Sequence, residues 1–96
     1  MEAKAFPSDY FAIESQVVYH GYTADQAIIQ VSPRPGSYTI ETQDIIDIIR
    51  QQGDSIALVL FSGVQYYTGQ CFDMKTITAE AKSKVPFLNL FNFTLF

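Results

Sequence analysis

The run Ile56-Ala57-Leu58-Val59-Leu60-Phe61 constrains the fold of this chain more than any other feature, because it is apolar at every position. A strand with one face in water alternates apolar and polar residues. A run without alternation marks a strand covered on both faces, as in a parallel sheet clothed by helices. Ser62-Gly63 ends the run, so the expectation is one buried strand near the middle of an α/β sheet.

The segments around it fit that architecture. Ile45, Ile46, Ile48 and Ile49 line one face of a helix, with Thr42 as its cap, Asp44 in its first turn and Gly53 closing it. Upstream, Tyr10, Ile13 and Val17 recur at helical spacing with Phe11, Ser15 and Val18 alongside. Pro7 cannot sit inside that helix, so Ser8 or Asp9 is its expected cap, and Gly21 its left-handed stop. Ala27 to Val31 is β-branched and bounded by Pro33-Arg34-Pro35-Gly36, which favours a strand. Thr23-Ala24-Asp25-Gln26 would also serve as the capping box of a short helix, but the strand is the preferred reading. Asp73 is placed to cap a further helix through Ile77 and Ala81 to about Lys84. The order of strands and helices implies α/β architecture with crossover connections.

At 96 residues the chain suffices for one small domain. Hydrophobic residues at 48% and charged residues at 17% are globular in character. A net charge of -4, with six basic residues scattered along the chain, argues against nucleic acid as a partner. One cysteine, Cys71, leaves no internal disulfide and fits a reducing compartment. No stretch approaches the roughly 20 apolar residues of a membrane span, and Met1-Glu2-Ala3-Lys4 has no signal-peptide core, so the expected location is cytoplasmic.

The texture changes after Lys84. Residues 85–96 carry no charge and no helical period, and they resemble an aggregation-prone strand more than a finished domain edge. The expected division is 1–84 as a partial domain and 85–96 as an apolar tail that offers no closing strand.

Open α/β sheets bind ligands at the carboxyl ends of their strands. Two places qualify: Phe6-Pro7-Ser8-Asp9, after the first strand, and Ser62-Gly63-Val64, after the buried one. An aromatic face, two hydroxyls and a carboxylate gathered there would suit a planar, charged heteroaromatic ligand. From residue type and spacing alone, helix capping by Ser8 or Asp9 and strand termination by Ser62-Gly63 are the preferred account of the same residues.

A resemblance adds to this. Glu2-Ala3-Lys4-Ala5-Phe6-Pro7-Ser8-Asp9 followed by Ala12-Ile13-Glu14-Ser15-Gln16, and Gly53-Asp54-Ser55-Ile56-Ala57 running into Leu60-Phe61-Ser62-Gly63-Val64 and Tyr67-Thr68-Gly69-Gln70, resemble eukaryotic kynureninase in content, order and separation. The resemblance covers Glu2 to about Lys82. It implies a partial large domain of a pyridoxal-phosphate enzyme of the aspartate-aminotransferase fold, with a mostly parallel sheet flanked by helices. It also implies a homodimer that hydrolyses kynurenine or 3-hydroxykynurenine to alanine and anthranilate or 3-hydroxyanthranilate, a step of tryptophan catabolism and NAD biosynthesis. On the family pattern, Phe6 would stack on the pyridine ring of pyridoxal 5′-phosphate and Asp9 would lie beside its ring nitrogen. Pro7 and Ser8 would shape the loop, and Ser62 would be a further cofactor contact.

The family's strand ending in a nitrogen-pairing aspartate, and its Tyr-Lys pair carrying the Schiff-base lysine, have no counterpart in these residues. Lys4, Lys75, Lys82 and Lys84 lie in other contexts. The resemblance therefore implies an internal fragment, inactive alone, that folds poorly. The alternative is a non-catalytic truncated product that pairs with full-length subunits, and a far weaker one is an independent binding domain for a phosphorylated ligand. His20 at a helix end and the lone thiol of Cys71 carry no catalytic expectation, whereas Tyr66 and Tyr67 are candidates for an active-site or subunit contact.

Overall fold

The computed structural model describes residues 1–84 and, for the backbone alone, 89–93. Its elements in order are α1 (Pro7–Tyr19), α2 (Ala24–Ala27), α3 (Thr42–Gln52), a 3₁₀ turn (Gly53–Ser55), β1 (Leu58–Ser62), α4 (Met74–Lys84) and β2 (Asn89–Phe93). Strands β1 and β2 pair in parallel, Leu58 opposite Asn89 through Ser62 opposite Phe93, with α4 as the crossover. The tail therefore supplies a strand beside β1, against the expectation that it offers none. What was expected of residues 85–88 and 94–96 lies outside the described residues.

The α3 and α4 helices form as their residues dictate. The isoleucine face of α3 is buried through Ile45, Ile46 and Ile49, and Arg50 in its last turn suits the negative end of the helix dipole. Asp73 caps α4 as expected, accepting bonds from the Thr76 N–H at 3.1 Å and the Thr76 hydroxyl at 2.7 Å. Ile77 and Ala81 on α4 are fully buried against Ile45, Ile49, Val59 and Phe61. Full burial of one such isoleucine contributes about 1.5–3 kcal/mol. Phe61 and Phe72 add an edge-to-face pair with centroids 5.4 Å apart.

Four local expectations are corrected. Pro7 is the first residue of α1, where its missing N–H costs nothing, and Phe6 is the cap residue. Neither Ser8 nor Asp9 caps the helix. The stretch 27–31 is not a strand. The Thr23 amide donates to Gln26 Oε1 at 3.1 Å, the short helix α2 forms, and only Val31 bridges to Glu2. The first strand expected before the Phe6 loop does not form either, since Ala3 and Lys4 lie in a turn and the Glu2–Val31 bridge is isolated. Thr42, expected as the cap of α3, is instead its first residue, and Glu41 is the cap residue. Gly53 closes α3 as expected, in a right-handed conformation with φ −51° that leads into the 3₁₀ turn. Its missing side chain matters for another reason, because a Cβ there would stand 2.6 Å from the Lys84 carbonyl oxygen.

The apolar run is covered unequally. Val59 and Phe61 are buried, while Leu58 and Leu60 are half-buried on the opposite face. That second face looks across a hollow of about 700 Å³ toward Ile13, Val17, Ile28 and Ile29. Helix α1 has no fully buried residue, and Phe11, Val18 and Tyr19 are exposed. The helical spacing was legible, but it marks a face only partly covered. The mostly parallel sheet expected from the sequence amounts, among the described residues, to one strand pair and the Glu2–Val31 bridge.

Candidate functional site

Two loops far apart in sequence meet at the carboxyl end of β1. The first runs from Glu2 to Asp9 into α1, and the second from Ser62 to Gln70. Five contacts join them. The Ser62 hydroxyl donates to Glu2 Oε1 at 2.9 Å, and the Ser62 N–H donates to the same oxygen at 3.3 Å. The Gln65 carboxamide donates to the Lys4 carbonyl. The Phe6 ring meets Tyr66 edge-on, with centroids 5.1 Å apart. The Lys4 ammonium sits 5.2 Å from the centre of the Tyr67 ring, within cation–π range. The structure thus brings together the two segments that the sequence singled out separately.

Gln65 is the hub of the second loop. It is buried, and its Oε1 accepts from the N–H groups of Tyr67 at 2.6 Å and Thr68 at 3.1 Å. Its backbone bonds to Gln70 and Gly69, the latter with φ +76°, close the turn. Gln70 in turn holds both backbone groups of Ile40, with Oε1 accepting at 2.8 Å and Nε2 donating at 2.7 Å. In the first loop Lys4 adopts φ 55°, a left-handed conformation that costs a non-glycine residue roughly 1 kcal/mol or more. Gln65 and Tyr67 hold it there. None of these roles was read from the sequence, since a lone Glu2, Lys4 or Gln65 carries no periodic or motif signal.

The proposed ligand-facing side chains differ in access. Phe6 is 41% exposed, Pro7 and Ser8 are exposed, and Asp9 is half-buried. Ser62 is buried and engaged with Glu2. Glu2 itself is only 3% exposed, and its Oε2 finds no partner among the described residues. Burial pushes its carboxyl above the ordinary value, the Ser62 bonds oppose that shift, and the Asp9 charge adds to it. One accessible carboxylate, Asp9, and one aromatic ring, Phe6, thus stand at the open side of this corner. An acceptor beside an aromatic face suits the ring of a planar cationic heterocycle. Cys71 is exposed, and His20 stacks edge-on against Tyr19 at the end of α1. Among the described residues no group of three His, Cys, Asp or Glu could hold a metal ion, and no helix is long and apolar enough to cross a membrane.

Comparison with known proteins finds no matching family model. Curated relatives are close, however. The chain is 61% identical over 84 residues to kynureninase of Nematostella vectensis and 48% identical over 84 residues to that of Homo sapiens, each match taking 88% of this chain. It is 54% identical over 77 residues, 80% of the chain, to kynureninase of Flavobacterium psychrophilum. The likeness is therefore not confined to the eukaryotic enzymes to which the motifs first pointed. In each comparison the match spans 18% of the relative's length. Over nearly nine-tenths of its residues, then, this chain resembles kynureninase, and it corresponds to less than a fifth of one.

Proposed function

We propose that the corner formed by residues 2–9 and 62–70 is one wall of the pyridoxal-phosphate site of a kynureninase, whose complete form cleaves kynurenines to alanine and an anthranilate. The observation that carries this is the meeting of the Phe6 and Ser62 loops at a strand's carboxyl end, in a chain 61% identical to a kynureninase over 84 residues. The cofactor supplies an electron sink for bond cleavage next to an amino-acid carbon. The chain's own residues hold and orient it. Phe6, fixed edge-on by Tyr66, offers a ring face for stacking. Asp9, in the first turn of α1, supplies negative charge beside a ring cation, and Pro7 and Ser8 set the path of the loop. Ser62 marks the floor of the corner. Lys4, the lysine of this corner, rests over Tyr67.

The test is a chimera in which the matching segment of the Nematostella vectensis enzyme is replaced by this chain's residues. Phe6→Ala in that protein is expected to weaken cofactor binding roughly tenfold, by loss of stacking and buried area. Unchanged cofactor affinity in a folded Phe6→Ala chimera would remove Phe6 from the site.

A further inference from the structure

We propose that Glu2 is a positioning residue for Ser62, holding the hydroxyl proton so that Oγ meets a bound ligand only as a hydrogen-bond acceptor. This rests on the reading of Ser62 as part of a cofactor wall. The geometry is specific. Glu2 reaches a residue 60 positions away, and one of its oxygens takes both the hydroxyl and the amide of Ser62, at 2.9 and 3.3 Å. The side chain that does this is 3% exposed.

An apolar side chain would fill that space without the cost of burying a carboxylate, so packing alone does not account for Glu2. Its second oxygen, Oε2, makes no bond among the described residues, so the carboxylate is not there to complete a network of its own. What it does accomplish is to engage the one proton of the Ser62 hydroxyl. A serine hydroxyl has one donor and two acceptor sites. With the donor committed to Glu2, the remaining lone pairs favour an N–H or O–H on the ligand and disfavour a phosphate or phenolate oxygen. The chemistry selected is a donor group on a cationic or neutral heterocycle, not its phosphate arm. The other titratable groups that face Glu2 are the Met1 amine and Asp9.

The experiment uses the full 96-residue chain. Without ligand, the Glu2 carboxyl carbon is followed by ¹³C NMR against pH in the parent and in Ser62→Ala. The Glu2 midpoint is expected to move upward in Ser62→Ala, since a bond that favours the ionised form is lost. A midpoint that does not move overturns the proposal. With ligand, the probe is pyridoxine 5′-phosphate, which has no aldehyde and so forms no imine with surface lysines. Glu2→Ala and Ser62→Ala are each expected to weaken it roughly three- to tenfold, with the double variant no worse than either. Glu2→Gln, which keeps an acceptor oxygen, is expected to restore most of the affinity. Additive losses, or parent affinity in Glu2→Ala, contradict the positioning role. Phe6→Ala separates the two readings. If it and the Glu2 variants all leave binding unchanged, the cofactor-wall reading fails; if only Phe6→Ala weakens binding, the Glu2 inference fails.

Discussion

Replacing Gly53 by alanine tests how α3 and α4 are locked together. On conformation alone the change is favourable: Gly53 sits at φ −51° and ψ −38°, ordinary helical values, where alanine is worth about 0.4–1 kcal/mol over glycine. The surroundings oppose it. An added Cβ would stand 2.6 Å from the Lys84 carbonyl oxygen, 3.0 Å from Lys84 Cβ and 3.1 Å from its carbonyl carbon. Two of these atoms are backbone in the last turn of α4, so no side-chain rotation relieves the clash. Overpacking of this kind costs about 1–3 kcal/mol. The clash outweighs the conformational gain, and the net expectation is a loss of about 1–2 kcal/mol. For a domain of this size that lowers Tm by roughly 4–15 °C. Thermal melts of parent and Gly53→Ala chains, followed by far-UV circular dichroism, read the difference. A variant as stable as the parent, or more stable, would show that the α3–α4 approach is looser than described.

Gln65→Ala strands the Lys4 carbonyl and the Tyr67 and Thr68 amides; with partial access to water, the loss should be about 2–4 kcal/mol, read as a lower urea midpoint, and an unmoved midpoint would contradict the hub role. Burial pushes the Glu2 carboxyl above its ordinary value of 4.5, so folding takes up a proton there. Its contribution to stability is fully present below that ordinary value and is lost as pH rises through the folded one. Glu2→Gln should flatten that part of the pH–stability curve, and a curve of unchanged slope would refute the assignment. Arg34 holds Asp44 through two bonds, at 2.8 and 3.0 Å, but the pair is exposed and screened by salt. Arg34→Ala should speed proteolysis in the 33–37 loop while leaving the global melting curve in place, and an equal fall in both would contradict this.

The sequence disclosed most where a residue's role is set by its neighbours along the chain. Helix α3 was legible in its isoleucines, the α4 cap in Asp73, and β1 in its unbroken apolar run. It misled where tertiary contacts choose between local options of similar energy. The capping box at Thr23 prevailed over the β-branched run that follows it, and Pro7 opened a helix it was expected only to precede. Gly53 was legible as a glycine that matters, but the reason, a close pass by Lys84, depends on a residue 31 positions later. The candidate site follows the same division. Phe6 and Ser62 could be named from the motifs of their family. Glu2 and Gln65, which join the two loops, could not, because hydrogen bonds over 60 residues leave no trace in spacing or composition.

The central claim is that these residues are a working part of a kynureninase. Anthranilate fluorescence from the Nematostella vectensis chimera, given kynurenine and pyridoxal phosphate, tests it most directly. Turnover within roughly tenfold of the parent enzyme, about 1.4 kcal/mol in the barrier, is the expected result. A chimera that folds and takes up cofactor but releases no anthranilate would contradict the claim.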